Sequence, residues 1–449
     1  MGQMRGARRS VALFTGVTQI LRPEAPGVQE NTASGAGFWA ALRQGDFLTP
    51  ERVRVYIRIL AVANLVGIGL AVCRAHGWLI PQELHDTTEF MSFYAAGRLV
   101  DAGQAAAVYL PATDIQGYIH STDIPAGFAA IQQSLSGDAQ IKLLGFFYPP
   151  VYWLICAPLA YLGFYQAYVV WVGLGVAAFL VLLRSLWGRW TLMWPAVAYF
   201  AAVKNAAVGE NAFLSAVLVG FGLLALERRP LLAGALFGGL CYKPHFLLPL
   251  GIFLVARLQW RALLGMMVSG ALLCGLAGVL FGWQSWTDYF TIVVPHAEWM
   301  FQHHGFAWGI QITPFSTVRL LGGNILLANI VQAFVMLLTS AALFGIARFG
   351  SANLRAAALV ASFPLIVSVM LDYDLTICAL GMVFLARQAI RTGFLPWEKT
   401  LLAAMFLLPL LVLACRTALN LPVDQVILAG FMLVLLLRLQ AERRGLVRL

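Results

Sequence analysis

The chain has 449 residues, 60% of them hydrophobic and only 11% charged, with a formal net charge of +10. A soluble domain carries about 25% charged residues, so this composition excludes one and indicates a polytopic membrane protein. The lysines and arginines are scattered over separate short loops and form no basic stripe, which argues against a nucleic-acid partner.

Residues 1 to 50, in which Gly, Ser, Pro and Arg are interspersed, read as a mobile cytoplasmic arm, and no cleaved signal peptide is expected there. The single membrane domain then runs from 51 to 449. Its first span is the apolar run from 55 to 73, whose start Arg52, Arg54 and Arg58 hold in the cytoplasm. A first outer loop from 77 to 164 follows, rich in acids (Glu83, Asp86, Glu89, Asp101, Asp114, Asp123, Asp138) and containing juxtamembrane helices. The apolar stretch from 148 to 161 belongs to this loop as a juxtamembrane or re-entrant element, because reading it as a span would place every later arginine on the wrong side.

Further spans are expected near 165–184, 191–203, 211–226, 231–243, 246–257, 262–281, 325–347, 356–371, 375–388, 400–415 and 423–438, about twelve in all. The loop from 282 to 324 is the second outer one. With the N-terminus inside, 23 of the 30 Lys+Arg fall in cytoplasmic segments and 13 of the 20 Asp+Glu fall outside. Several of the expected spans are shorter than about 17 residues, which calls for a thinned bilayer or a water-filled outer cavity. The six cysteines (Cys73, Cys156, Cys241, Cys274, Cys378, Cys415) stand singly in apolar runs with no CxxC pair, and read as small core residues.

Three constellations carry the chemistry. The first is Asp86-Thr-Thr-Glu89-Phe-Met-Ser-Phe-Tyr, where a helix resting on the membrane sets two carboxylates three residues apart and turns Phe90, Phe93 and Tyr94 to an apolar side. A carboxylate at the edge of a low-dielectric region gains proton affinity and suits general-base work; alternatively, these acids solvate a loop or cap its helix. The second is the lysines at outer span ends, Lys204-Asn205 with Gly209-Glu210-Asn211, and Tyr242-Lys243-Pro244-His245. Each lysine needs a structural partner such as Glu210 or Asp372, or else a lipid-linked phosphate. The third is Leu371-Asp372-Tyr373-Asp374, which could bind a cation or sugar hydroxyls, or make a turn and pair with Lys204 or Lys243. His296, His303 and His304, among the tryptophans of the second outer loop, lack the spacing of a zinc motif and could serve as interface anchors or sugar contacts. No nucleotide-binding glycine motif is present.

The ordered set Glu89-Phe-x-x-x-Tyr-Ala-Ala-Gly97-Arg98, Ala102-Gly103 with Tyr109, Tyr148-Pro149-Pro150, Ala157-Pro158-Leu159, Gly209-x-Asn211, Tyr242-Lys243-Pro244, Leu371-Asp372-Tyr373-Asp374 and Leu395-Pro396-Trp397-Glu398 resembles glycosyltransferase family 87, from about residue 77 to 438. The resemblance implies an all-α polytopic GT-C bundle that transfers a mannose-like hexose, with inversion, from a polyprenyl-phosphate donor to a lipid or glycan acceptor outside the cytoplasm. The expected location is the bacterial inner membrane with both termini cytoplasmic. It implies an acid of the first outer loop as base, here Glu89 with Asp86 in reserve; the residues themselves point to Lys243, His245, Lys204 and Arg319 on the donor phosphate, and to Asp372, Asp374, Asn211, Glu210, Tyr148, His303 and His304 around sugar and acceptor. No metal or cofactor is required. Two positions depart from the family pattern: Glu89 stands where Asp is usual and Glu210 where Gln is usual. The rival readings are a transporter or flippase of a lipid-linked or anionic solute, and an inactive family member.

Overall fold

The computed structural model describes residues 34–76, 80–81, 88–110, 115–137, 139–303 and 308–446. Within the stretch expected to be a mobile arm, Ser34–Gln44 forms a helix. The unit Leu42–Leu449 holds everything that follows. It is built from helices; among the described residues the only strands are Ala75–His76 and Ile80–Pro81, which pair antiparallel.

Seven of these helices are long and apolar enough to cross a membrane: Pro50–Arg74, Phe164–Trp187, Trp260–Phe281, Ile325–Phe349, Asp372–Thr392, Glu398–Thr417 and Val423–Arg443. Five more apolar helices, Pro150–Ala160, Ala212–Ala225, Pro230–Tyr242, Pro244–Ala256 and Ala352–Ile366, have only 10–17 residues. At about 1.5 Å per residue these fall short of roughly 30 Å of hydrocarbon. The expected dozen spans thus divides into seven of full length and a set of shorter pieces.

Local chemistry explains the breaks. The run expected as one span from 191 to 203 is two helices, because Met193–Ala198 stops at Tyr199, which turns extended (φ −80°, ψ 105°), and the chain restarts as Phe200–Val208. The last carbonyls of a helix need outside donors. Those of Val197 and Ala198 accept from Asn64 Nδ2 at 2.9 and 3.2 Å, so one amide ties the first spanning helix to the break. The run from 148 to 161 is a 3₁₀ turn, Pro150–Tyr152, continuing into the helix Trp153–Ala160. Pro150 sits at the first position of the turn, where its fixed φ suits the start and its missing N–H is not needed.

This element seats the helix Glu89–Asp101. The two backbones approach so closely at Gly97 that an added Cβ would lie 2.2 Å from the Cys156 carbonyl oxygen, so only glycine fits there. The pattern expects Phe90, Phe93 and Tyr94 to rest on the membrane, whereas the structure buries all three in protein. Phe90 packs on Phe164 and Tyr168, and Phe93 is edge-on to Phe146, Tyr148 and Tyr152. Aromatic edges from the short element and from Phe164–Trp187 fill the space that lipid would otherwise occupy.

A second tether fixes the acidic turn. Ile310 to Ile312 runs antiparallel to Met370 to Asp372, with the Asp372 N–H donating to the Ile310 carbonyl at 3.0 Å and the Ile312 N–H to the Met370 carbonyl at 2.9 Å. The 3₁₀ turn Asp372–Ile377 then leads into the helix Cys378–Thr392.

Candidate active site

A cavity of about 950 Å³ opens where these elements meet. Glu89, Ser92, Lys142, Tyr148, Glu210, Lys243, His245, His296, Tyr373 and Asp374 line it, and Ile68, Ala71 and Val72 of the first spanning helix add an apolar wall.

Glu89 opens its helix, preceded by Thr88 in the extended conformation of a helix entrance, and is half-buried. It lies outside the membrane-spanning segments. Burial first and the neighbouring Glu210 second push its carboxyl up to about 8 from an ordinary value near 4.5, against the pull of Lys204 and Lys142. Asp86, the reserve base, lies outside the described residues.

The acidic sequence forms a turn in which both carboxylates hold lysines. Lys204 Nζ lies 2.6 Å from Asp372 Oδ2, and Lys243 Nζ lies 2.7 Å from Asp374 Oδ1. The two pairs differ in position, because Lys243 and Asp374 line the cavity while Lys204 and Asp372 do not. An ammonium is a compact charge with three rotatable donors, so Lys243 can keep Asp374 and still offer N–H groups to an anion in the cavity.

Glu210 caps the turn between Phe200–Val208 and Ala212–Ala225. Its carboxylate accepts from the Tyr148 hydroxyl (3.2 and 3.3 Å), the Tyr373 hydroxyl (3.1 Å) and the Asn211 N–H (2.8 Å). Tyr148 is positioned in turn: the Tyr109 hydroxyl donates to its carbonyl at 2.6 Å, and its ring stacks on Tyr152 at 4.6 Å. Lys204 therefore takes Asp372, and not Glu210, as its partner.

The cavity does not gather every expected residue. Arg319 donates to the carbonyls of Gly323 (2.8 Å) and Gln302 (3.4 Å) and lies over the Trp308 ring, off the cavity wall. A cation in the last turn of Pro314–Leu320 is drawn to such carbonyls, and the structure does not bring it to the cavity with Lys243. His303 stacks on Trp299 at 4.9 Å with its Nδ1 3.0 Å from the Trp299 carbonyl oxygen, also off the wall. His304 lies outside the described residues, and Asn211 is fully buried without lining the cavity.

Sequence reasoning missed Lys142, although it is one of only two cations, with Arg98, in a strongly acidic loop. It also left His296 open between an interface anchor and a sugar contact. That ring is sandwiched parallel to Tyr118 (4.5 Å) and Phe147 (6.0 Å) at the cavity edge. Among the described residues no three His, Cys, Asp or Glu side chains gather closely enough to hold a metal ion.

No curated protein and no protein of solved structure matches the chain. The model of glycosyltransferase family 87 matches residues 146–371, half of the chain. That span holds Tyr148, Lys204, Glu210, Lys243 and His245, stops just short of Asp372, and begins well after Glu89. The apolar helices, the lysine-lined cavity and this match lead to one identification: the chain is a membrane-embedded glycosyltransferase, and it belongs to glycosyltransferase family 87.

Proposed function

We propose that the protein transfers a mannose-like hexose, with inversion, from a polyprenyl-phosphate donor to an acceptor hydroxyl at the outer face of the bacterial inner membrane. The observation that carries this reading is the sharing of one cavity by Glu89 and Lys243, beneath an apolar wall from the first spanning helix. The cavity offers a base, a cation and a greasy flank, and a sugar-phosphate on a lipid needs all three.

In this scheme Glu89 takes the proton of the acceptor hydroxyl as its oxygen forms a bond to the anomeric carbon. The bond from that carbon to the phosphate oxygen breaks on the opposite side, and its electron pair leaves with the phosphate. Lys243 neutralises the charge that grows on the leaving group, and the neighbouring His245 ring can add a neutral N–H donor. The ring of Tyr148 offers a face for the sugar. Asp374 orients Lys243, while Lys204, a quarter exposed, pairs with Asp372 without lining the cavity.

The test is a transfer assay with purified protein and a radiolabelled polyprenyl-phosphate hexose. Wild type is expected to transfer the label and to invert the anomeric configuration, read by NMR. Glu89→Gln is expected to slow transfer by about 10²- to 10⁴-fold, the usual contribution of a general base. Full activity in that variant would end the assignment.

A further inference from the structure

Glu210 is a carboxylate of unusual standing. It is 4% exposed, and each lysine near it is engaged elsewhere, Lys204 with Asp372 and Lys243 with Asp374. Among the described residues no cation lies within ion-pair distance of it. Its contacts are donors without charge: two tyrosine hydroxyls and one backbone N–H. Burial pushes its carboxyl up from the ordinary range, while the charge of Lys243, the Asn211 N–H and the Tyr373 hydroxyl pull it back towards the ionised form.

The fold also brings the turn that carries Glu210 against the helix that Glu89 opens. Gly209, the preceding residue, has φ +71°, and an added Cβ there would lie 2.5 Å from Cβ of Phe90, the residue after Glu89. The Trp171 indole N–H donates to the Gly209 carbonyl at 2.9 Å and the Tyr168 hydroxyl to the Ala206 carbonyl at 2.7 Å, which fixes the turn in place. Both carboxylates then face the same cavity.

We infer that Glu210 is a positioning residue for the base: a fixed, buried negative charge, held by Tyr148 and Tyr373, that strengthens the hold of Glu89 on a proton. The inference rests on the reading of Glu89 as the base and adds what sets its strength. The other charges facing Glu89 are Lys204 from Phe200–Val208, Lys142 from the segment leading to Phe146, and Asp372 from the 3₁₀ turn. Lys243 and Asp374 face Glu210 from the other side. Of the two acids acting on Glu89, Asp372 is in contact with a cation, Lys204, and Glu210 is not. A base made stronger in this way takes a proton from a neutral hydroxyl more readily once it is itself ionised.

Infrared difference spectroscopy on the full-length protein in detergent tests this directly, reading the protonated carboxyl band that Glu89→Gln abolishes. In Glu210→Gln the titration midpoint of that band is expected to fall by about one unit, the lower end of what a nearby like charge produces. Tyr373→Phe removes one donor from Glu210 without altering the acid itself and is expected to move the midpoint in the same direction by less. Normalised pH profiles of transfer should follow the same order. A midpoint that stays at the wild-type value in both variants would overturn the inference, as would loss of transfer in Glu210→Gln with the Glu89 band unmoved, which would make Glu210 the base. If the band shifts while wild type transfers no sugar, the pairing stands and the reading of Glu89 as base falls.

Discussion

Two buried charge clusters sit at opposite ends of the helix Asp372–Thr392, roughly 30 Å apart by its 21 residues. At the Asp372 end the cations are lysines, each with one carboxylate, beside a cavity. At the Thr392 end the cation is Arg438. Its guanidinium grips both oxygens of Glu398 and donates to Thr392 Oγ1 (2.7 Å) and the Gly393 carbonyl (2.8 Å). Close by, Glu442 accepts from the Ser351 N–H and hydroxyl and from Gln388 Nε2. That end is closed, with a planar fork matched to a carboxylate and two further donors taken up by neighbours. The lysine end is open, with point charges that can turn towards a newcomer. Burial of an ion pair therefore does not mark function here; what distinguishes the two ends is the kind of cation and whether a cavity touches it.

Paired substitutions put the sharpest pressure on this contrast. Lys243→Met should cut transfer by about 10²- to 10³-fold, in line with removing an electrostatic stabiliser of the leaving group. It should also cost about 3–5 kcal/mol of stability by stranding Asp374. Adding Asp374→Leu should recover most of the stability and none of the activity. At the closed end, Arg438→Met should cost a similar stability, and adding Glu398→Leu should recover that stability with transfer intact. Thermal unfolding in detergent, with transfer rates on the same samples, checks all four; recovery of activity in the Lys243 double variant would erase the distinction.

The pH dependence is the next largest effect. With the Glu89 carboxyl at about 8, only about a tenth is ionised at pH 7, so the transfer rate should climb roughly tenfold between pH 7 and pH 9 and then level off. Stability runs the other way. The folded state holds the proton more tightly than the unfolded chain, so this group favours folding fully at low pH and loses that contribution as pH rises from about 4.5 to about 8. Glu89→Gln should flatten both curves, and initial rates and unfolding midpoints across the range decide it. The smallest effect serves as a control. Arg54 and Glu51 form a pair 3.2 Å apart in which both side chains are about two-thirds exposed or more, so Arg54→Ala should shift stability by no more than about 0.5 kcal/mol.

Much of this was legible in the residues. The apolar runs marked the helices, the acids marked the loop that carries Glu89, and Asp372 and Asp374 were paired in advance with the two lysines as one of two readings. The rest was hidden for physical reasons. The break at Tyr199 leaves hydropathy unchanged, since an apolar residue in extended conformation reads like one in a helix, and only the Asn64 amide betrays it. Lys204 meets Asp372 across 168 positions and Lys243 meets Asp374 across 131, so which lysine takes which acid is a matter of tertiary packing. Arg319 carries the same charge as Lys243, and its fate depends on which carbonyls lie within reach. Arg416 and Asp424 sit in apolar runs and read as isolated polar residues. They form a buried pair, and Arg416 also holds the Trp308 carbonyl and Ser316 Oγ, steadying the segment that tethers the acidic turn.

The contact between Gly97 and the Cys156 carbonyl has one more consequence. With its main chain wedged directly against another, the Glu89 helix has no slack along its axis, and the length of one side chain fixes how far the carboxylate projects. Trimming that side chain by a single methylene in Glu89→Asp leaves a gap the scaffold cannot slide to close, so in the proposed reaction chain length at this one position sets the distance at which an acceptor must dock.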